Sequence, residues 1–197
     1  MNLPNKITLV RILLTFVFMV LLFLPGIAAK TAALAIFIAA VCSDYLDGFI
    51  AKKYNITSDF GKIMDPVADK ILTIAAFLAF VELKLVPAWI VVIIILRELV
   101  ITGIRLVALK NNDVLSAGMG GKHKTVSQML SILIILIFII IKEAGVKTFG
   151  FWNGSFEYWY KQLIFIMMII TTILTIISGA SYIIGNKKYL LNGNNKD

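Results

Sequence analysis

Six times along its 197 residues the chain runs apolar for close to the ~20 residues that a helix needs to cross the hydrocarbon of a bilayer. The runs are Ile7–Leu24, Thr31–Ala51, Ile63–Val81, Val86–Leu109, Val126–Ile141 and Leu163–Ile184. The fifth is the shortest and is expected to extend back toward Lys124. With 60% hydrophobic residues, the composition lies far from that of a soluble domain. The expected architecture is an all-α integral membrane protein, a six-transmembrane-helix bundle formed as one domain over residues 1–197. An even number of spans puts both termini on the same side. No cleavable signal peptide is expected, because the run after Arg11 has no small-residue cleavage site and is long enough to span.

Charge orients the bundle. One side carries Lys6, Arg11, Lys52, Lys53, Lys62, Lys110, Lys122, Lys124, Lys187, Lys188 and Lys196. The other carries Lys30, Lys84, Lys142, Lys147 and Lys161, interleaved with Glu82, Glu143 and Glu157. The excess of 11 cations over 5 marks the first side, and with it both termini, as cytoplasmic. The net charge of +8 therefore sits at span ends, where it suits anionic lipid headgroups, and no nucleic-acid partner is expected. The aromatic stretch "FGFWNGSFEYWYK" falls on the outer side and reads as an interfacial belt. Cys42 is the only cysteine, which excludes an intrachain disulfide, and its apolar surroundings predict a small buried hydrophobe.

The chain opens "MNLPNKITLVR". Pro4 suits a first helical turn, and Asn5, Thr8 and Arg11 then share one face. That face suits a polar cavity at the cytoplasmic end. An interfacial helix start with a snorkelling Arg11 fits the spacing equally well.

The costliest residues are four aspartates at span edges. Asp44 and Asp47 are three apart near the end of the second run, and Asp65 and Asp69 are four apart near the start of the third. Each spacing puts two carboxylates on one helix face. The polar turn "YNITSD" folds the two helices into a hairpin, so all four groups can meet at one depth. Four such carboxylates cannot all stay ionised without compensating cations. Lys52, Lys53, Lys62 and Lys70 supply part of that charge. An all-oxygen set fits two divalent cations, Mg²⁺ or Mn²⁺, about 4 Å apart, clamping a phosphoryl group. Gly48 and Ala51 leave a strip without bulky side chains, where a flat base or a diphosphate can approach the backbone. Gly61 opens the third span after the capping candidate Ser58.

From Asp44 the chain reads D-x2-D-G-x2-A-K-x8-G-x3-D-x3-D. This resembles the signature of the CDP-alcohol phosphatidyltransferases, with Lys52 standing where the family usually has arginine. The resemblance implies that Asp44, Asp47, Asp65 and Asp69 are metal ligands, with Asp69 also the general base. It implies that Gly48, Lys52 and Gly61 line the site for the cytidine diphosphate of CDP-diacylglycerol, and Asn5 and Thr8 are assigned to the same substrate. Lys52 meets a phosphate as a point charge and lacks arginine's bidentate fork. A homodimer in the bacterial cell membrane, with its site on the cytoplasmic side, is also implied.

The acceptor is read from the fourth span, "LRELVITGIRL". Arg97 and Arg105 are eight apart on one face, and Glu98 lies beside the first. Charge inside a span points to function. Lys122, His123, Lys124 and Thr125 follow in "GKHKT", after glycines that let backbone groups approach an anion. Arg97, Arg105, Lys122 and Lys124 together suit an acceptor phosphate, and His123 is expected at the surface. This pattern is similar to the members of the family whose acceptor is sn-glycerol 3-phosphate; inositol phosphate and serine are the alternatives within it. An intramembrane prenyltransferase would also hold a diphosphate on Asp-bound Mg²⁺, but would not need the two arginines. A divalent-cation transporter would place its carboxylates at mid-membrane on broken helices.

Overall fold

The structure, a computed structural model, describes residues 3–54, 59–110, 119–146 and 152–186. Side chains are described over 9–43, 70–108, 124–146 and 152–186. These residues form helices and no strand: α1 Leu3–Phe23, α2 Ile27–Tyr54, α3 Asp59–Glu82, α4 Ala88–Lys110, α5 Met119–Ala144 and α6 Gly154–Gly185. Each apolar run coincides with one helix. Five helices begin or end well beyond their runs: α1, α2, α3, α5 and α6 continue into polar sequence. The fifth run does extend back past Lys124, to Met119.

Helix α1 packs against α2 and α3, α5 against α2 and α6, and α4 against α3 and α6. The apolar core is built from Phe18 and Leu22 of α1, Phe37 of α2, Phe77 and Phe80 of α3, Ile90 of α4, Phe138 of α5 and Met168 of α6. Phe18 and Phe37 stack with ring centroids 5.7 Å apart.

The turns at one end are tied by charge. Gly26 has φ +104°, a conformation open to glycine at little cost, and its N–H donates to Glu143 Oε1 at 2.8 Å. Lys30 is buried at this end, and its ammonium donates to the Leu22 carbonyl in the last turn of α1. That carbonyl has no partner within its own helix, and a cation suits a helix C-terminus. The aromatic belt lies at the same end. Trp152 and Tyr160 pack on Phe138 at 5.7 and 5.2 Å, while Glu157 accepts from Lys142, Trp152 and Lys161.

Helix α6 is inside-out by the standard of a soluble helix. It buries Thr171, Thr172, Thr175, Ser178 and Gly179, and exposes Ile166, Ile170, Ile173, Ile176 and Ile177. Helix α1 exposes Leu9, Leu13, Phe16 and Val20, and α4 exposes Trp89, Val92, Leu96 and Leu99, both at helical spacing. So much continuous apolar surface is foreign to a soluble monomer, and small or hydroxyl residues at helix contacts are a membrane habit. Among the described residues two stretches meet the demands of a membrane span by length and composition, Lys124–Ala144 and Gly154–Gly185. Cys42 corrects one expectation, because it is exposed. A small apolar side chain suits an outward apolar face as well as a core, so sequence could not separate the two.

Candidate active site

Helix α2 passes through Asp44 and Asp47 without a break to Tyr54, and α3 passes through Asp65 and Asp69 from its start at Asp59. The spacings of three and four residues thus fall within regular helix, and the two helices touch. Four carboxylates are a hard, all-oxygen donor set, and they fit divalent cations of the Mg²⁺ or Mn²⁺ class. The side chains of these aspartates lie outside the described residues. So do those of Asn5, Thr8, Gly48, Lys52, Gly61, Lys122 and His123, whose backbones belong to α1, α2, α3 and α5.

The charges of α4 are resolved in detail. Glu98 is buried and needs cationic partners to stay charged there. The buried ammonium of Lys124, brought in by α5, donates to Glu98 Oε1. Arg97 Nη1 reaches the same oxygen at 3.3 Å, and Arg97 Nη2 donates to Ser178 Oγ of α6 at 2.9 Å. Among the described residues two cations face one carboxylate, so this cluster carries a surplus positive charge. Lys70 of α3 lies close enough for its charge to act on both Glu98 and Lys124. It directly follows Asp69, and so links the aspartate helix to the cationic cluster.

Two turns along α4, Arg105 also points to α6. Its Nε donates to Tyr182 Oη at 3.3 Å, and its guanidinium carbon sits 5.4 Å from the centre of the Tyr182 ring. This contact holds the stem and leaves the two terminal nitrogens without a partner among the described residues. Arg97 and Arg105 therefore stand on Ser178 and Tyr182, themselves one turn apart. Arg11 is 2% exposed, so it faces the interior of the bundle and does not snorkel. Thr15 donates to its carbonyl at 2.9 Å.

Sequence reasoning missed the α6 side of this site. Ser178, Gly179 and Tyr182 sit in "ISGASY", a polar break in an isoleucine-rich helix, and that break was the available signal. Gly179 is needed for close approach: a Cβ there would come within 2.9 Å of Arg97 Cγ. Lys70 was noted only as compensation for the aspartates.

With this geometry in hand, comparison with known proteins is specific. The family model for CDP-alcohol phosphatidyltransferase matches residues 1–185. A Bacillus subtilis protein named CDP-diacylglycerol–glycerol-3-phosphate 3-phosphatidyltransferase is 40% identical over 148 residues, 69% of this chain and 77% of that protein. A Rickettsia felis protein of the same name is 31% identical over 189 residues, 95% of this chain and 97% of its own length. A Mycobacterium tuberculosis protein named probable phosphatidylglycerophosphate synthase is 39% identical over 134 residues, 66% of this chain and 64% of its own. The matched region takes in the aspartate signature, all six helices and the cationic cluster of α4, α5 and α6, and the chain belongs to the CDP-alcohol phosphatidyltransferase family.

Proposed function

We propose that the chain transfers the phosphatidyl group of CDP-diacylglycerol to sn-glycerol 3-phosphate, giving phosphatidylglycerol phosphate and CMP. The observation that carries the choice of acceptor is the surplus positive charge of Arg97 and Lys124 over Glu98 inside the bundle, with Arg105 beside it. A buried excess cation calls for an anion. Inositol or choline-like acceptors would leave it unanswered. The names of the relatives from Bacillus subtilis and Rickettsia felis point the same way.

Asp44, Asp47, Asp65 and Asp69 are the residues that would hold two divalent cations. When bound, these cations neutralise charge on the diphosphate and on the departing CMP. Gly48, Lys52 and Gly61, with Asn5 and Thr8, receive the cytidine diphosphate. The acceptor's phosphate is held by Arg97, Arg105, Lys122 and Lys124, which turns its 1-hydroxyl toward the lipid phosphorus. Asp69 takes the hydroxyl proton. A new oxygen–phosphorus bond forms as the bond to CMP breaks, and positioning with charge neutralisation is most of what such a transfer needs.

The setting proposed is a single membrane domain with six spans, both termini and the site on the cytoplasmic side of a bacterial cell membrane. The inside-out character of α6 and the 11-to-5 division of cations support it. A soluble acceptor and a nucleotide leaving group suit that side. A homodimer is the assembly that the family resemblance implies.

Separate titration of the two substrates tests the pocket. Arg105→Ala is expected to raise the Michaelis constant for glycerol 3-phosphate by the equivalent of roughly 2–5 kcal/mol, because the phosphate loses a partner in a partly dry site. The constant for CDP-diacylglycerol should move much less. Arg105→Lys should recover only part, since a point charge cannot reproduce the fork. An unchanged constant for glycerol 3-phosphate would remove Arg105 from the pocket.

A further inference from the structure

Helices α5 and α6 meet along a polar seam whose groups are paired at both ends and unpaired between them. On α5 the buried seam residues are Lys124, Gln128 and Ser131; on α6 they are Thr171, Thr175 and Ser178. Both sets are spaced by four and three residues, the repeat that keeps side chains on one line of a packed helix. The helices run antiparallel. At one end Thr171 Oγ1 lies 2.9 Å from Ser131 Oγ and 2.7 Å from Ser127 Oγ. At the other, Lys124 meets Glu98 while the adjacent Arg97 donates to Ser178. The layer between them is Gln128 opposite Thr175.

That layer is unsatisfied. Gln128 is 4% exposed and Thr175 is 0% exposed, yet Gln128 Nε2 and Thr175 Oγ1 have no hydrogen-bond partner among the described residues. Nor has Arg97 Nε, one layer away. Three other buried threonines show what Thr175 declines to do. Thr15, Thr102 and Thr172 each donate to the carbonyl four residues back, at 2.7–2.9 Å. Three buried donors left unmade are costly, and native interiors seldom tolerate them without an occupant. Beside this layer the backbones of α4 and α5 do not touch, and the Lys124–Glu98 pair joins the two helices through side chains.

We infer that Gln128, Thr175 and the Nε of Arg97 form the deep wall of the acceptor pocket, where they donate to oxygens of the acceptor's phosphate and set the preference for a phosphate-bearing alcohol. The inference rests on the phosphatidyltransferase reading above. An amide N–H₂ and a guanidinium Nε can only donate, and the hydroxyl can join them. The matching ligand accepts at several atoms and carries negative charge, because Arg97 and Lys124 outnumber Glu98 beside the wall. A phosphate monoester does both, and inorganic phosphate shares its chemistry.

Thr175→Val and Gln128→Met remove the donors with little change of volume. Each should raise the Michaelis constant for glycerol 3-phosphate by on the order of tenfold or more, as loss of a charge-assisted hydrogen bond does. Inhibition by inorganic phosphate should weaken in parallel, while the constant for CDP-diacylglycerol stays put. Thr175→Ser should restore the unmodified values. Ligand-free thermal stability in detergent should hold or rise, since an unmet donor has gone. If Gln128→Met does not fold, the Thr175→Val and Thr175→Ser pair decides alone. Unchanged constants for glycerol 3-phosphate and phosphate would overturn the wall and leave the seam to water. Equal losses for both substrates with lower thermal stability would overturn it too, as a structural seam only. The unmodified control separates the two readings: no glycerol 3-phosphate-dependent CMP release overturns the activity itself, whereas release with unaltered variants overturns only the wall.

Discussion

Excess chelator is expected to abolish CMP release, and added Mg²⁺ or Mn²⁺ to restore it. Two carboxylate pairs on adjoining helices repel one another, and cations are what make their shared ionisation tolerable. Asp47→Asn replaces a charged oxygen donor with a neutral amide and removes part of that demand. Metal affinity in this variant should fall by more than the roughly 10–100-fold typical of losing a partner one shell further out. Isothermal titration of the purified protein with Mn²⁺ checks it without reference to turnover. Full activity in excess chelator would contradict the two-cation reading, and unchanged Mn²⁺ affinity in Asp47→Asn would return that residue to a structural role.

The Asp69→Asn variant is expected to bind CDP-diacylglycerol but to lose the chemical step. A positioned general base contributes roughly 10²–10⁴-fold. Asp69 is also assigned to the metal set, so the loss should reach or exceed the upper figure. Single-turnover measurement of CMP formation, beside equilibrium binding of CDP-diacylglycerol, separates chemistry from binding. Near-normal turnover would exclude both roles.

The helices were legible because each apolar run had the length of a span, and their placement needed no knowledge of neighbours. The Arg97–Glu98 contact was legible for a related reason: charge within a span is rare enough to be read alone. Its α6 partners were not. Ser178 lies 81 residues from Arg97 and Tyr182 lies 77 from Arg105, and small or hydroxyl residues in a membrane helix pass for ordinary packing. Thr175 was hidden in the same way, since only the bonds made by its neighbours reveal that it makes none. The burial of Lys30 was not legible, because it depends on the carbonyl of Leu22, a property of where α1 ends. The aspartates were legible from spacing alone, and what the fold adds is that both pairs lie within unbroken helices that touch.

In the proposed reaction a cation-lined pocket beside four aspartates passes a lipid phosphatidyl group to an anionic alcohol. The most direct measurement is CMP release by the purified protein from CDP-diacylglycerol, with sn-glycerol 3-phosphate, inositol phosphate, inositol, serine and glycerol supplied in turn. The expected result is release that depends on glycerol 3-phosphate, with phosphatidylglycerol phosphate as the lipid product, and little release with inositol, serine or glycerol. Preference for an uncharged alcohol would contradict the acceptor assignment, and no CMP with any acceptor would contradict the activity.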